Sequence, residues 1–125
     1  MVNGTTSAVQ AMIMSVCKAG EKIIMPRNVH RSAINALILC GAEPVYVNPQ
    51  VEERLGISLG MKVEDVALAI AANPDAKAVL INNPTYYGIC SAGDKFNADD
   101  ERELFIDVEF GYIAAEFGTA RARNF

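Results

Sequence analysis

Histidine is nearly absent from this chain: His30 is the single example among 125 residues. The three cysteines, Cys17, Cys40 and Cys90, are odd in number and nowhere spaced CxxC, so neither a disulfide framework nor a structural zinc site is indicated. Basic residues are in deficit, 11 against 15 acidic, which gives a net charge of -4 and a pI near 4.9. That balance argues against an electrostatic grip on nucleic acid or anionic lipid. No stretch approaches the roughly 18 continuous apolar residues of a membrane span, and no basic segment precedes a hydrophobic one at the N-terminus. A cytoplasmic protein with no membrane partner is the expectation. Internal repeats and low-complexity segments are also missing. The acidic run Asp99, Asp100, Glu101 and Glu103 lacks the spacing of a calcium loop and reads as solvated surface.

What is present is a 51% hydrophobic content, enough for one domain over residues 1–125 whose core covers roughly two thirds of the unfolded chain's surface. TSAVQAMIMSVC at 6–17 fits a buried helix, with Asn3, Thr5 and Thr6 as candidate N-caps and Gly20 beyond its end. KIIMP at 22–26 reads as a short strand, and 27–40 as a helix on the spacing of Val29, Ala33, Ala36, Leu37 and Cys40, stopped by Gly41. EPVYVN at 43–48 is a second strand, and 49–62 a long connection of the kind that often carries function. A helix over 63–76, ended by Pro74 and Asp75, precedes a third strand, AVLINN at 78–83, and a turn at PTYYG, 84–88. The polar stretch after Ser91 reads as a loop leading to a short helix capped by Asn97 or Asp99, and a fourth strand is expected around Leu104 to Val108. Helices alternate with nearly continuous apolar strands, which predicts a three-layer α/β/α fold with a mostly parallel sheet.

In such sheets ligands bind in the crevice at the carboxyl ends of the strands. NGTTS, RNVH, NPTYYG and Asp107 should project from that edge. Thr5, Thr6 and Ser7 could hold a phosphate with hydroxyls and the positive end of a helix, or could simply cap it. His30, one turn into its helix and in no metal-ligand cluster, fits either a solvated histidine or a catalytic one. Asp107 closes an apolar strand, where a carboxylate must meet a partner or water, although loop anchoring would serve as well. Tyr86 and Tyr87 could stack on a flat ligand or pack within the turn. The thiols of Cys17 and Cys40 end apolar helical runs and should act as small hydrophobes.

NGTTSAV at 3–9, RNVHRSAINALILCGAEPVYVNP at 27–49, DAKAVLINNPTYYG at 75–88 and FIDVEFG at 105–111, taken in order, resemble the pyridoxal-phosphate-dependent ornithine/lysine/arginine decarboxylases of the aspartate-aminotransferase fold. The resemblance is strongest over residues 1–91, and RNVHRS and PTYYG are its most specific parts. It implies that Thr5, Thr6 and Ser7 cradle the phosphate of pyridoxal 5'-phosphate. It also implies that His30 stacks on the pyridine ring and flanks the reacting carbon, and that Asp107 pairs with the pyridinium nitrogen so that the ring can accept electrons when carbon dioxide leaves. A basic amino acid as substrate follows from the same resemblance, and a homo-oligomer is expected because a partial fold leaves strand edges and apolar faces to be covered.

Two departures accompany it. Phe110 stands where many members have histidine or tryptophan. The Schiff-base lysine of a Ser-x-His-Lys segment would fall beyond residue 125, and none of Lys18, Lys22, Lys62, Lys77 and Lys95 stands in that context. The expectation is therefore a partial domain of a carbon–carbon lyase, inactive by itself. The alternative is a non-catalytic α/β module that works through self-association or a partner chain, because strand edges and apolar faces would need covering.

Overall fold

The computed structural model describes residues 4–82 and 85–89 in full, and residues 105–109 and 112–116 as strands. Helix α1, Thr5–Val16, leads to strand β1, Lys22–Pro26, and helix α2, Arg31–Cys40, to β2, Glu43–Val47. A small hairpin of β3, Val51–Glu52, and β4, Ile57–Ser58, precedes α3, Val63–Ala72, and β5, Ala78–Asn82. With β6, Phe105–Glu109, and β7, Tyr112–Glu116, the main sheet has the order β2-β1-β5-β6-β7. Pairing is parallel from β2 through β6, and β7 alone runs antiparallel.

The strand period of two sorts the apolar residues into two layers. Ile23 and Met25 of β1, with Ala78 and Leu80 of β5, pack under Val9 and Ile13 of α1 and Ala33, Ala36 and Leu37 of α2. Their neighbours Ile24, Val79 and Ile81 point the other way, toward Val47, Met61 and Val66 of α3. Ile23, Ile24 and Met25 are all fully buried, as a strand covered on both faces requires. Each such side chain contributes roughly 1.5–3 kcal/mol from removal of apolar surface from water. The expected three-layer α/β/α architecture is therefore present. From β1 the chain crosses over α2's face to β2, then returns over α3's face, past β1, to β5. Opposite directions on opposite faces give the two crossovers one hand.

Several local boundaries differ from the sequence reading. The helix expected over 27–40 begins only at Arg31, because Arg27 is still bonded to the sheet and 26–29 form a turn. The Arg27 backbone N–H donates to Val47 at 3.0 Å, Val29 N–H donates to Pro26 at 3.2 Å in a turn, and the Arg27 side chain donates to Asn48 Oδ1 at 3.1 Å. The guanidinium also lies 4.9 Å from the centre of the Tyr46 ring. His30 is thus the N-cap of α2, not a residue one turn inside it.

Helix α1 takes Gly4 as its N-cap, with no side-chain cap hydrogen bond, so Thr5 and Thr6 open the first turn and do not cap it. Asn3, the third expected cap, lies outside the described residues. Helix α3 stops at Ala72, four residues before the expected end. Asn73 precedes Pro74, whose ring disfavours helical backbone in the residue before it; Asn73 sits at φ -133, ψ 68 and donates its side-chain amide to Ala69 at 3.0 Å. The long connection 49–62 contains the β3–β4 hairpin, tied at its base by Leu59 N–H to Gln50 at 2.7 Å. Strand β7 was not expected at all, and the short helix expected after Ser91 lies outside the described residues.

Gly41 ends α2 in the left-handed region at φ 74, and a Cβ there would stand 3.2 Å from the Cβ of Ala19. Gly41→Ala is expected to lower the unfolding free energy by about 1–2 kcal/mol, the ordinary cost of an L side chain in that conformation. Urea unfolding followed by circular dichroism measures it, and an unchanged midpoint would show that the α2 terminus is not held as described.

Candidate functional site at the carboxyl edge of the sheet

Helices that connect parallel strands run antiparallel to them, so α2 and α3 place their N-termini at the carboxyl edge of the sheet. Helix α1 leads directly into β1, packs beside α2 and is followed by Gly20, whose N–H donates to Gly41 at the end of α2 at 2.9 Å, so its C-terminus lies at the amino edge and its N-terminus at the carboxyl edge too. Gly4 enters α1 at φ 95, ψ 158, and Thr5, Thr6 and Ser7 follow as its exposed first three residues. The amides of a first turn carry the positive end of the helix dipole. Hydroxyls, amides and dipole here form a donor set suited to phosphate. A flat, neutral or cationic ring at the same edge would complete the fit to a phosphorylated aromatic cofactor.

That ring is His30, exposed at the start of α2. Its Nδ1 accepts from the Ser32 backbone N–H at 3.2 Å and lies 2.9 Å from Ser32 Oγ. Beyond β5, Thr85 is buried and organises the TYYG turn. Its backbone N–H donates to Ile89 at 2.9 Å, its carbonyl accepts from Gly88 N–H at 2.8 Å, and its hydroxyl accepts from Ile89 N–H at 3.3 Å. Tyr86 and Tyr87 pack edge to face on each other, 5.5 Å apart, and both remain exposed. A cleft opens between the ends of β1 and β5. Pro26 and Asn28 form one wall, Ile81, Asn82 and Thr85 the other, and Leu59–Met61 close it from the hairpin side. It lies at the point where the chain's crossovers diverge, with α2 leaving β1 for one side and α3 arriving at β5 on the other.

Asp107 occupies the middle of β6, paired in register with Ile81 of β5. The β1–β5 register, continued two residues from Ile24↔Val79, puts Pro26, Ile81 and Asp107 in one row near the carboxyl edge. The topology therefore gathers Thr5, Thr6, Ser7 and His30 at one edge, with Asp107 a row below it. Ser32, Asn28 and Thr85 were not singled out from sequence. A serine two residues after His30 was the available signal for the first, and threonine after proline for the last.

Of the described lysines, Lys18, Lys22 and Lys77 lie at the opposite, amino edge. Lys22 pairs with Asp75 at 3.0 Å and Lys77 with Glu21 at 3.8 Å. The Lys22 ammonium, hydrogen-bonded to Asp75, holds that exposed carboxyl below its usual value. Lys62, the N-cap of α3, is at the carboxyl edge. Cys17 is buried, and burial, reinforced by Cys40 and Glu21, pushes its thiol up to about 11, so it packs as a protonated hydrophobe and not as a nucleophile. Cys90 lies outside the described residues. Among the described residues no group of three or more His, Cys, Asp or Glu could hold a metal ion, and no helix is long and apolar enough to cross a membrane.

Comparison with known proteins gives the family and the fold. The sequence pattern of the family described as "Orn/Lys/Arg decarboxylase, major domain" matches residues 1–110. An arginine decarboxylase of Halalkalibacterium halodurans is 51% identical over 90 residues, which is 72% of this chain and 18% of that protein. The constitutive lysine decarboxylase of E. coli superposes with a TM-score of 0.57 at 26% identity, over 67% of this chain and 13% of that one. A candidate aminotransferase of Clostridium difficile, solved in its PLP-bound form, does so with a TM-score of 0.57 at 24% identity, over 74% of this chain and 23% of that one. The chain thus spans about a fifth of the length of such curated relatives.

Proposed function

The chain belongs to the ornithine/lysine/arginine decarboxylase family, and from that premise we propose that its carboxyl edge holds pyridoxal 5'-phosphate for removal of the α-carboxylate of a basic amino acid. The observation that carries this reading is the first turn of α1, where Thr5, Thr6 and Ser7 stand exposed behind a glycine N-cap at the edge that also bears His30. When bound, the cofactor supplies an electron sink for the carbon that loses carbon dioxide. Thr5, Thr6 and Ser7 hold the phosphate with hydroxyls and first-turn amides. His30 lies against the ring and keeps it flat beside the reacting carbon. Asp107 provides a carboxylate for the ring nitrogen and keeps that nitrogen protonated.

None of the five lysines stands in the Ser-x-His-Lys context, so the 125-residue chain by itself binds the cofactor without a covalent bond and does not turn over. Two free cysteines, Cys17 and Cys40, support a reducing, cytoplasmic setting. Titration with pyridoxamine 5'-phosphate, which has no aldehyde to modify stray lysines, tests the site by calorimetry. Saturable binding is expected, weakened about tenfold or more in the Thr5→Ala/Thr6→Ala and Asp107→Ala variants, as loss of a hydrogen bond to a charged group predicts. His30→Ala should weaken it as well. Binding that is absent, or equal in all four proteins, would count against the reading.

Self-association is a second reading with its own observation. Ile38 and Leu39 are exposed on α2 at 76% and 64%, and Leu68 at 68% on α3, across the sheet from them. Large apolar side chains left in water favour contact with another protein surface, here a second copy. Light scattering is expected to give a multiple of the 13.5 kDa chain mass, reduced by Ile38→Glu with Leu39→Glu. A monomer at micromolar concentration would remove this reading.

A further inference from the structure

We propose that Ser32 is the positioning residue of His30: it engages Nδ1 with two hydrogen bonds and so fixes the ring as the Nε2–H tautomer, with the donor on the edge away from α2. A backbone N–H only donates, so the 3.2 Å bond from Ser32 N–H to Nδ1 exists only while Nδ1 carries no proton. Ser32 Oγ, 2.9 Å from the same nitrogen, must then direct its hydroxyl hydrogen there too. A neutral imidazole with Nδ1 occupied as acceptor has its one proton on Nε2.

Burial supplies the second support. Ser32 is 3% exposed, and among the described residues it and Thr85 are the buried polar side chains. A buried hydroxyl needs a partner, and Nδ1 is the partner this one has. His30 is exposed, and among the described residues its ring is hydrogen-bonded by the amide and hydroxyl of Ser32. The backbone adds to the selection: at φ -63, ψ 148 His30 is an extended N-cap, which lets its side chain fold back onto the amide two residues on. The consequence is a hydrogen-bond donor, not an acceptor, facing the carboxyl edge, where the carboxylate or phosphate of a bound molecule would meet it. That use rests on His30 lying at the cofactor site; the tautomer itself does not.

Because His30 is the only histidine, nitrogen-15 labelling of the full chain gives one pair of ring signals. Long-range proton–nitrogen correlation spectra of the neutral ring, recorded without any cofactor, should show Nε2 protonated and Nδ1 as a hydrogen-bonded acceptor. In Ser32→Ala, which loses the hydroxyl but keeps the amide, the Nδ1 resonance should move part of the way toward that of an unbonded acceptor, and Ser32→Thr, which keeps the hydroxyl, should bring it back. A wild-type ring protonated at Nδ1, or an Nδ1 resonance identical in wild type and Ser32→Ala, overturns the proposal. The wild-type spectrum decides the tautomer even if a variant fails to fold. Absence of cofactor leaves the result independent of whether pyridoxal phosphate binds.

Discussion

Parallel pairing of β1 with both of its neighbours, β2 and β5, is the constraint on which the rest depends. Parallel neighbours force each connection to travel back along the sheet, and helices do that most compactly. Helices α2 and α3 then begin at the carboxyl edge and end at the amino edge, and α1, which feeds β1 from the amino edge, runs the same way. Helix N-termini, with their positive dipole ends, are collected on one side of the molecule before any side-chain chemistry is chosen. The order β2-β1-β5 adds a crevice, since the chain leaves β1 in one direction and comes back to β5 in the other.

The two edges divide the labour. At the amino edge Lys22 meets Asp75 and Lys77 meets Glu21, exposed pairs that contribute little individually to stability. At the carboxyl edge the polar groups serve geometry instead. The buried hydroxyl of Ser32 addresses the ring of His30, and that of Thr85 closes the turn that carries Tyr86 and Tyr87. Buried polar atoms are costly when unpaired, so each of these bonds fixes one conformation of a segment that would otherwise be free.

Much of this was legible from sequence because the strands are dense in β-branched and long apolar residues. KIIMP and AVLIN appear as β1 and β5 where the pattern put them, and their full burial explains why no alternation was visible. What could not be read were decisions made by tertiary contacts. The start of α2 is delayed by the sheet bond at Arg27 and by the grip of Asn48 and Tyr46 on its side chain, partners some twenty residues away. Strand β7, YIAAE, has two alanines and little β propensity, and it pairs with β6 regardless. The candidate site was legible as residue types, Thr5, Thr6, Ser7 and His30, but Gly4 as the cap and Ser32 as the partner of His30 required coordinates.

The central claim is that the first turn of α1 and the ring of His30 together form one cofactor site. Amide and ring chemical shifts of the labelled chain, followed on addition of pyridoxamine 5'-phosphate and separately of inorganic phosphate, test it most directly. The account predicts that the cofactor moves the signals of Thr5, Thr6, Ser7 and His30 together, whereas phosphate alone moves only the three at the start of α1. Shifts confined to the amino edge around Lys22 and Lys77, or none in α1, would contradict it.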